Sequence, residues 1–214
     1  MIFSNITVLL VDDHELVRAG FRRLLEDGDG IKSVLEANSG EQAITEYRQS
    51  HPDVVVMDLS MPGIGGLGAI EKIIAYDPKA KILVLSVYED SIFTKQAIQT
   101  GAKGFIPKRS APEEMYKALH EVAQGKTYIS STIAQQIAIT KLMGSENIIE
   151  SLSQREFEIF RLLAEGKTVN DIADTFNLSP KTVGTHHTNI KQKLNVCNSA
   201  ELARLAIRHG LIDA

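Results

Sequence analysis

Short apolar runs alternate with amphipathic segments along residues 1–125. The runs are rich in Val, Ile and Leu and are bounded by polar or turn residues, which is typical of strands buried on both faces of a sheet. The clearest run, Val54-Val55-Val56-Met57, leads into Asp58 and then a Pro-Gly turn. We expect Asp58 at the carboxyl end of a central strand, where open α/β sheets place reactive groups. Five strands are predicted in all, near residues 6–11, 31–36, 54–58, 81–86 and 103–106.

Each predicted strand is followed by a segment with helical spacing of its apolar residues. In the first of these, Leu16, Phe21, Leu24 and Leu25 fall on one side. Five strands alternating with five helices indicate a parallel, doubly wound α/β sheet. Right-handed crossovers make the order 2-1-3-4-5 natural, which brings the ends of the first and third strands together. The other helices are predicted near residues 39–49, 64–76 and 89–100 and from Pro112 onward.

The pattern changes after Gly125. Residues 130–142 are predicted as a helix with Ile133, Ile137 and Ala134 facing inward, and residues 143–150 as a polar connector. From residue 152 onward four helices are predicted, the first opened by a capping box at Ser153. The chain is thus predicted to contain an α/β domain at 1–125, a linker with a helix at 126–150 and an all-α domain at 151–214.

The composition is that of an ordinary soluble protein, with 43% hydrophobic and 23% charged residues in 214. No apolar run approaches the roughly 20 residues needed to span a bilayer. The amino terminus lacks the features of a secretory signal, and Cys197 has no second cysteine to pair with. These features predict a cytoplasmic protein with no internal disulfide and no direct membrane contact.

The charge distribution limits where nucleic acid could bind. The net charge is −4, so the whole chain is not a polycation. Residues 179–197, however, contain Lys181, Lys191 and Lys193 and no acid. Any nucleic-acid contact is therefore expected to be focused on this small part of the surface.

Acidic residues follow two of the predicted strands, and a lysine follows the last. Asp12 and Asp13 come after the first strand, Asp58 after the third and Lys108 after the fifth. Carboxylates that meet at one sheet edge need a compensating cation, and an open oxygen site favours Mg²⁺. Asp58 could then act as a nucleophile toward a phosphoryl donor. A lone Asp at such a place often only caps a helix, but this combination is much harder to explain structurally.

Four motifs follow the predicted strands in order: Val11-Asp12-Asp13-His14, Met57-Asp58-Leu59-Ser60-Met61-Pro62-Gly63, Leu85-Ser86 and Gly104-Phe105-Ile106-Pro107-Lys108. With these motifs, residues 6–125 resemble the receiver domain of two-component response regulators, a flavodoxin-like fold. The resemblance implies that Asp13, Asp58 and the backbone carbonyl of Ser60 bind Mg²⁺, with Asp12 helping through water.

The same resemblance predicts roles in phosphorylation and switching for four residues. Asp58 would be the phosphoacceptor, and Lys108 would pair with the phosphoryl oxygens. Ser86 matches the switch hydroxyl that moves to bond the phosphate. Phe105 matches the switch aromatic of the family, although a residue at this strand end is ordinarily part of the core.

The segment near residues 180–194 has an apolar back and a polar front. Val183, Ile190 and Leu194 form an inward stripe on a helical wheel, and the opposite side carries threonines, amides and lysines without an acid. Such a helix suits docking in the major groove of DNA, preceded by the first helix of a helix-turn-helix. Periodicity alone would favour a plain solvated face.

Two segments are more specific than the periodicity: Leu152-Ser153-Gln154-Arg155-Glu156 and Leu178-Ser179-Pro180-Lys181-Thr182-Val183. With these among the matching segments, residues 150–210 resemble the LuxR/NarL-type DNA-binding domain. This resemblance favours a DNA-binding face over a plain solvated one. The resemblance implies that His186 packs between helices and that the last helix, with Ala203, Leu205 and Ala206, forms a dimer surface. The residues expected to contact DNA are Lys181 and Thr182 at the backbone, Gly184, Thr185 and Thr188 in base-facing positions, and Asn189, Lys191 and Lys193 beside them.

Two further segments are informative: Gln135-Gln136 after Tyr128-Ile129-Ser130, and Ala206-Ile207-Arg208-His209-Gly210-Leu211 near the end. With them, the whole chain resembles the NarL/FixJ group of response regulators, and most of all the GacA/UvrY-type global regulators. The resemblance implies a membrane-bound, hybrid sensor histidine kinase as phosphoryl donor and small regulatory RNA genes as targets. It also implies that phosphorylation releases the helix-turn-helix domain and promotes a homodimer on an inverted repeat of double-stranded DNA.

The leading hypothesis is therefore a phosphorylation-switched transcription factor that is not a turnover enzyme on external substrates, with autodephosphorylation as the reaction compatible with it. An aspartyl-phosphate phosphatase would need a second acid two residues after Asp58, where Ser60 stands. The remaining alternative is a receiver-based protein-interaction regulator whose helical domain no longer binds DNA. Gly184, which lacks a side chain in a base-facing position, is the best support for that alternative.

Overall fold

The structure, a computed structural model, describes residues 5–87, 91–142, 148–209 and 211–212. The chain forms two compact units, residues 1–144 and 145–214, which are described separately. The predicted helix start near residue 89 and most of the predicted polar connector, residues 143–147, lie outside the described residues. No helix among the described residues is both long and apolar enough to cross a bilayer.

The first unit is built on a parallel sheet of six strands in the order β2-β1-β3-β4-β5-β6. The predicted flavodoxin-like order 2-1-3-4-5 is confirmed, and β1 lies between β2 and β3. Every residue of β3, β4 and β5 is buried, as their continuous apolar runs predict. The strands are β1 (Ile6–Val11), β2 (Ile31–Ala37), β3 (Val54–Asp58), β4 (Ile82–Ser86), β5 (Gly104–Pro107) and β6 (Tyr128–Ile129).

Helices follow the strands as the alternating pattern predicts. Alternate residues of β1, β3 and β4 pack with the apolar faces of α1 and α5 in one core cluster, which includes Leu25, Met115 and Leu119. The helices are α1 (Glu15–Glu26), α2 (Gly40–Ser50), α3 (Gly65–Tyr76), α4 (Ser91–Thr100), α5 (Pro112–Ala123) and α6 (Ser131–Leu142).

Two predicted inward positions are wrong. Leu16 is 89% exposed, because it lies in the first turn of α1 and the apolar face of that helix reaches the core only from Phe21 onward. Ala134 is exposed on α6, whereas Ile133 is buried as predicted.

The predicted linker is only partly a linker. Tyr128 and Ile129 form β6, which pairs with Gly104 and Phe105 of β5 and extends the sheet by one strand. The amide of Tyr128 donates to the carbonyl of Lys103 at 2.9 Å. Residues 128–142 therefore belong to the first compact unit.

The second unit is entirely helical. Its core is formed by large apolar side chains from each of the four α-helices, among them Phe157, Phe160, Ile172, Ile190 and Leu202. The elements are a short 3₁₀ helix (Ile148–Ser151), α7 (Gln154–Ala164), α8 (Val169–Phe176), α9 (Pro180–Leu194) and α10 (Ser199–Arg208). The predicted capping box at Ser153 and Glu156 is present.

Candidate functional sites

Asp58 is the last residue of β3 and is held in a tightly packed turn. The amide of Ser60 donates to Asp58 Oδ1 at 3.2 Å, and Asp58 is only 1% exposed. The chain then turns into α3 so closely that a Cβ at Gly66 would lie 2.1 Å from the carbonyl oxygen of Asp58. Only glycine fits at residue 66 without moving the backbone that carries Asp58.

Lys108 links two buried carboxylates. Its Nζ lies 2.6 Å from Asp12 Oδ2 and 2.8 Å from Asp58 Oδ2, although only the contact with Asp12 has hydrogen-bond geometry. Lys108 reaches this position because its amide donates to the carbonyl of Ser86, which fixes the end of β5 beside β4. The Lys108 ammonium thus lies between the Asp12 and Asp58 carboxylates. The resemblance to receiver domains predicts that this same ammonium binds the phosphoryl group.

The environment controls the protonation of both groups. Burial raises the pKa of Asp58, and this outweighs the lowering effect of the Lys108 ammonium. Burial acts to lower the pKa of Lys108, but the charges of Asp58 and Asp12 overcome it and raise that pKa. The Lys108 ammonium therefore opposes the effect of burial on Asp58 and favours the carboxylate form.

The donor set at this sheet edge fits a divalent metal ion. Asp12, Asp13, His14 and Asp58 each offer one ligand atom, and these atoms all lie within 4.8 Å of one another. Three carboxylates match the oxygen ligands that Mg²⁺ prefers. Asp12 is 2% exposed, and its Oδ1 accepts from the amide of His14, so it is less open than Asp13. This agrees with an indirect role for Asp12.

His14 also lies among these acids, although no sequence pattern singles it out. Its Nδ1 lies 2.9 Å from Asp13 Oδ1 and 3.5 Å from Asp12 Oδ1. The residue was visible next to the two acids, but its direction depends on the turn from β1 into α1, which the apolar pattern does not specify.

The remaining predicted receiver residues lie around this group. Ser86 is buried at the end of β4, beside the end of β5. The Oγ of Ser60 is buried without a hydrogen-bond partner among the described residues. Phe105 is fully buried within β5, which is the ordinary core position rather than a surface one.

The second candidate site is the exposed face of α9. Thr168 and Asp171 form a capping box at the start of α8, and Asn177, with a φ of 52°, ends that helix in the left-handed conformation. The side chain of Ser179 then caps α9 by accepting from the amide of Thr182. These caps define the turn of a helix-turn-helix, while Val183 buries the back of α9.

Most of the predicted DNA-contact residues share the outer face of this helix. Their side chains are not held in the core, so they remain available to a partner. Lys181, Thr182, Thr185, Thr188, Asn189 and Lys193 are exposed, and Gly184 and Lys191 are half-buried.

Lys193 differs from the other lysines of α9. Its Nζ lies 2.6 Å from Glu156 Oε2, although the side chain is still 41% exposed. Glu156 also closes the capping box of α7 by accepting from the amide of Ser153. The charge of Lys193 is therefore used inside the helical unit, which weakens the expectation that it meets a phosphate.

His186 and His187 are half-buried on α9. His186 Nδ1 and His187 Nε2 are buried atoms without a hydrogen-bond partner among the described residues. Burial lowers the pKa of both imidazoles. On α10, Ala206 is fully buried, whereas Ala203 and Leu205 are half-buried, so the predicted dimer surface is partly core.

Two family models match the chain. Residues 8–120 match the model described as "Response regulator receiver domain". Residues 150–206 match the model described as "Bacterial regulatory proteins, luxR family". The two matches fall in the two compact units and contain the two candidate sites.

Relatives are similar over almost the whole chain. The chain is 47% identical over 211 residues to the response regulator UvrY of Escherichia coli (strain K12), covering 98% of this chain and 97% of that protein. It is 43% identical over 211 residues to the response regulator GacA of Pseudomonas aeruginosa, covering 98% and 99%. Among solved structures, RcsB of Salmonella enterica serovar Typhimurium, bound to a promoter in the presence of the phosphomimetic BeF₃⁻, matches with a TM-score of 0.65. That match has 28% identity and covers 94% of this chain and 98% of RcsB.

Proposed function

Because the chain belongs to the response regulators that join a receiver domain to a LuxR-type regulatory domain, we propose that phosphorylation of Asp58 controls the binding of α9 to DNA. The observation that carries this proposal is the buried Asp58 carboxylate with Lys108 Nζ 2.8 Å away, at a sheet edge with two further acids. A nucleophile, a cation for transferred charge and ligands for a metal ion lie together there.

The chemistry is a phosphoryl transfer to a carboxylate. An Asp58 oxygen attacks phosphorus, the bond between phosphorus and the donor histidine breaks, and an acyl phosphate forms on Asp58. A bound Mg²⁺, held by Asp13, Asp58 and the Ser60 carbonyl with Asp12 acting through water, would neutralise charge on the transferring group. Lys108 then exchanges its contact with Asp58 for the phosphoryl oxygens, and the Ser86 hydroxyl donates to one of them.

The phosphoryl group changes the site by adding about 1.5 to 2 negative charges. It can shift the conformation only by binding one state better, and a near-complete switch needs about 5.5 kcal/mol of preference. Ser86 and Phe105 are the residues through which the change would leave the site. The result is release of the helix-turn-helix domain and a homodimer on an inverted repeat.

Binding to DNA is the output that the second unit supports. The outer face of α9 carries lysines, threonines and Asn189 without an acid, which suits phosphates and base edges. RcsB, which is 28% identical to this chain, is bound to a promoter in its structure, and this supports DNA binding as the output here. By analogy with the UvrY and GacA regulators, we assign a membrane-bound hybrid kinase as donor, small regulatory RNA genes as targets and a cytoplasmic location.

One experiment tests the switch. Genomic DNA footprints of the wild type, treated or untreated with a small phosphodonor, are compared with those of Asp58→Ala. We expect the phosphodonor to increase occupancy and dimer content of the wild type only. Equal occupancy and equal oligomeric state in all samples would reject the switch, and failure to bind any genomic fragment would favour the protein-interaction alternative.

A further inference from the structure

Two threonines on the outer face of α9 have their hydroxyl groups bonded to the helix itself. Thr185 Oγ1 donates to the carbonyl of Lys181 at 3.1 Å. Thr188 Oγ1 donates to the carbonyl of Gly184 at 3.0 Å. Both side chains are exposed, and residues three apart lie next to each other on a helix. The two threonines therefore form one surface with the same internal bonding.

This bonding limits what the two side chains can offer to a base. A threonine hydroxyl has one hydrogen, and in both residues that hydrogen is already donated to a backbone carbonyl. If the hydroxyl turned to donate to a base acceptor, it would lose its hydrogen bond to the helix carbonyl and gain one to DNA. The number of hydrogen bonds would not change, so little affinity would be gained. What remains free to contact DNA is the methyl group, together with the lone pairs of the hydroxyl oxygen.

Gly184 leaves this surface open. A Cβ built at Gly184 would have no heavy atom of the described residues within 4 Å beyond its chain neighbours and the backbone of α9 itself, and Thr188 is exposed on the next turn. The Thr188 methyl can therefore be approached closely by a base edge. Asn189 is exposed beside it, and a carboxamide can pair with adenine in the major groove.

Base pairs differ in how well they match such a surface. In the major groove, both kinds of base pair present an amino group, on adenine or on cytosine, that can donate to a hydroxyl lone pair. Only an A·T pair presents a methyl group, that of thymine, which can pack against the methyl group of a threonine. We propose, on the basis of the proposed binding of α9 to DNA, that Thr185 and Thr188 select A·T pairs by contacting thymine methyl groups.

The experiment starts from the full chain treated with a small phosphodonor and a random-sequence duplex library. In the selected site, each thymine is then replaced singly by uracil, which lacks only the methyl group, and affinity is measured. Burying one methyl is worth about a four-fold change in affinity. We expect wild-type binding to weaken about four-fold at one or two thymines near the centre of each half-site.

Matched variants identify the protein partner of each methyl group. Thr185→Ser and Thr188→Ser keep the hydroxyl and remove the methyl, so each should lose about four-fold on thymine and become insensitive to uracil at one position. Thr185→Val and Thr188→Val keep a methyl and remove the hydroxyl, so they should bind the thymine site within about two-fold of wild type. Thermal unfolding confirms that all four variants are folded.

Two results would overturn this inference alone. One is a selected site at which wild-type binding is unchanged by uracil at every position. The other is a valine variant that loses as much affinity as the matching serine variant, which would mean that the hydroxyl makes the contact. A selection that enriches no DNA would instead overturn the binding of α9 to DNA and this inference with it.

Discussion

The two candidate sites solve opposite physical problems. The Asp58 site collects charge that is almost completely buried, with Asp12 2% and Asp58 1% exposed, and the Lys108 ammonium lies between these two carboxylates. The α9 surface instead spreads most of its lysines and polar groups over an exposed helix face. The comparison teaches that covalent chemistry needs enclosure, whereas recognition of a large partner needs an accessible face. The consequences of mutation should differ accordingly.

The largest expected difference concerns the lysines of the two units. Lys108→Ala leaves two buried carboxylates unpaired, and breaking a buried pair in this way costs about 3–5 kcal/mol. Lys193→Ala removes a partly exposed partner of Glu156, which should cost no more than about 1 kcal/mol. Amide hydrogen exchange in the full chain measures both losses of stability, with β3 reporting on Lys108→Ala and α7 reporting on Lys193→Ala.

A double variant controls for the lysine prediction. Adding Asp58→Asn to Lys108→Ala removes one of the stranded charges, so part of the lost protection in β3 should return. Equal losses for Lys108→Ala and Lys193→Ala would contradict the contrast between the two sites.

The glycines give the second comparison. Gly66→Ala places a Cβ 2.1 Å from the Asp58 carbonyl oxygen, so the backbone must move. Overpacking of this kind costs about 1–3 kcal/mol, and we expect phosphorylation by a small phosphodonor to be lost with it. Gly184→Ala meets open space in the middle of α9 and should stabilise its unit by about 0.5–1 kcal/mol. Thermal unfolding and phosphate incorporation measure these effects, and a stable, phosphorylatable Gly66→Ala variant would show that the turn can relax.

A third comparison concerns two lysines on the same helix. Lys181→Ala should weaken binding to all DNA sequences and reduce the slope of log affinity against log salt by about 1. Lys193→Ala should change that slope less, because Lys193 is paired with Glu156. Salt titrations of the two variants on one duplex make the measurement. Equal slopes would mean that Lys193 leaves Glu156 on binding.

The smallest expected effect depends on pH and affects only the helical unit. Burial lowers the pKa of His186 and His187, with Arg155 and Lys191 adding to the lowering and Glu156 opposing it at His186. The folded unit then binds fewer protons than the unfolded chain, so its stability should fall as pH drops below about 6.5. Exchange protection of α9 at pH 7.5 and 5.5 measures this loss. A His186→Gln, His187→Gln double variant should lose most of the pH dependence and keep the part from His209, whose pKa burial also lowers. An unchanged dependence would assign it to other groups.

The sequence predicts the parts of the fold that depend on long apolar runs. The buried strands β3 and β4 and the sheet order follow from such runs and from right-handed crossovers. Strand β6 could not be predicted in this way, because it has only two residues and exists through pairing with β5. The exposure of Leu16 likewise depends on how far α1 extends beyond the core, which helical spacing does not define.

The candidate sites show the same division. Asp12, Asp13, Asp58 and Lys108 could be placed together because parallel strands end at one sheet edge. The pairing of Lys193 with Glu156 joins residues 37 positions apart on different helices, so no local pattern predicts it. The need for glycine at residue 66 is equally invisible, because it arises from contact with the backbone of Asp58.

Strand β6 has a mechanical consequence within the first unit. Its neighbour β5 runs directly into Lys108, and the amides of Tyr128 and Ser130 donate to the carbonyls of Lys103 and Phe105 at 2.9 and 3.3 Å. A displacement of β5 along its axis must therefore pull the start of α6 with it or break these two hydrogen bonds. The edge strand thus acts as a short tether between the start of α6 and the strand that leads into Lys108.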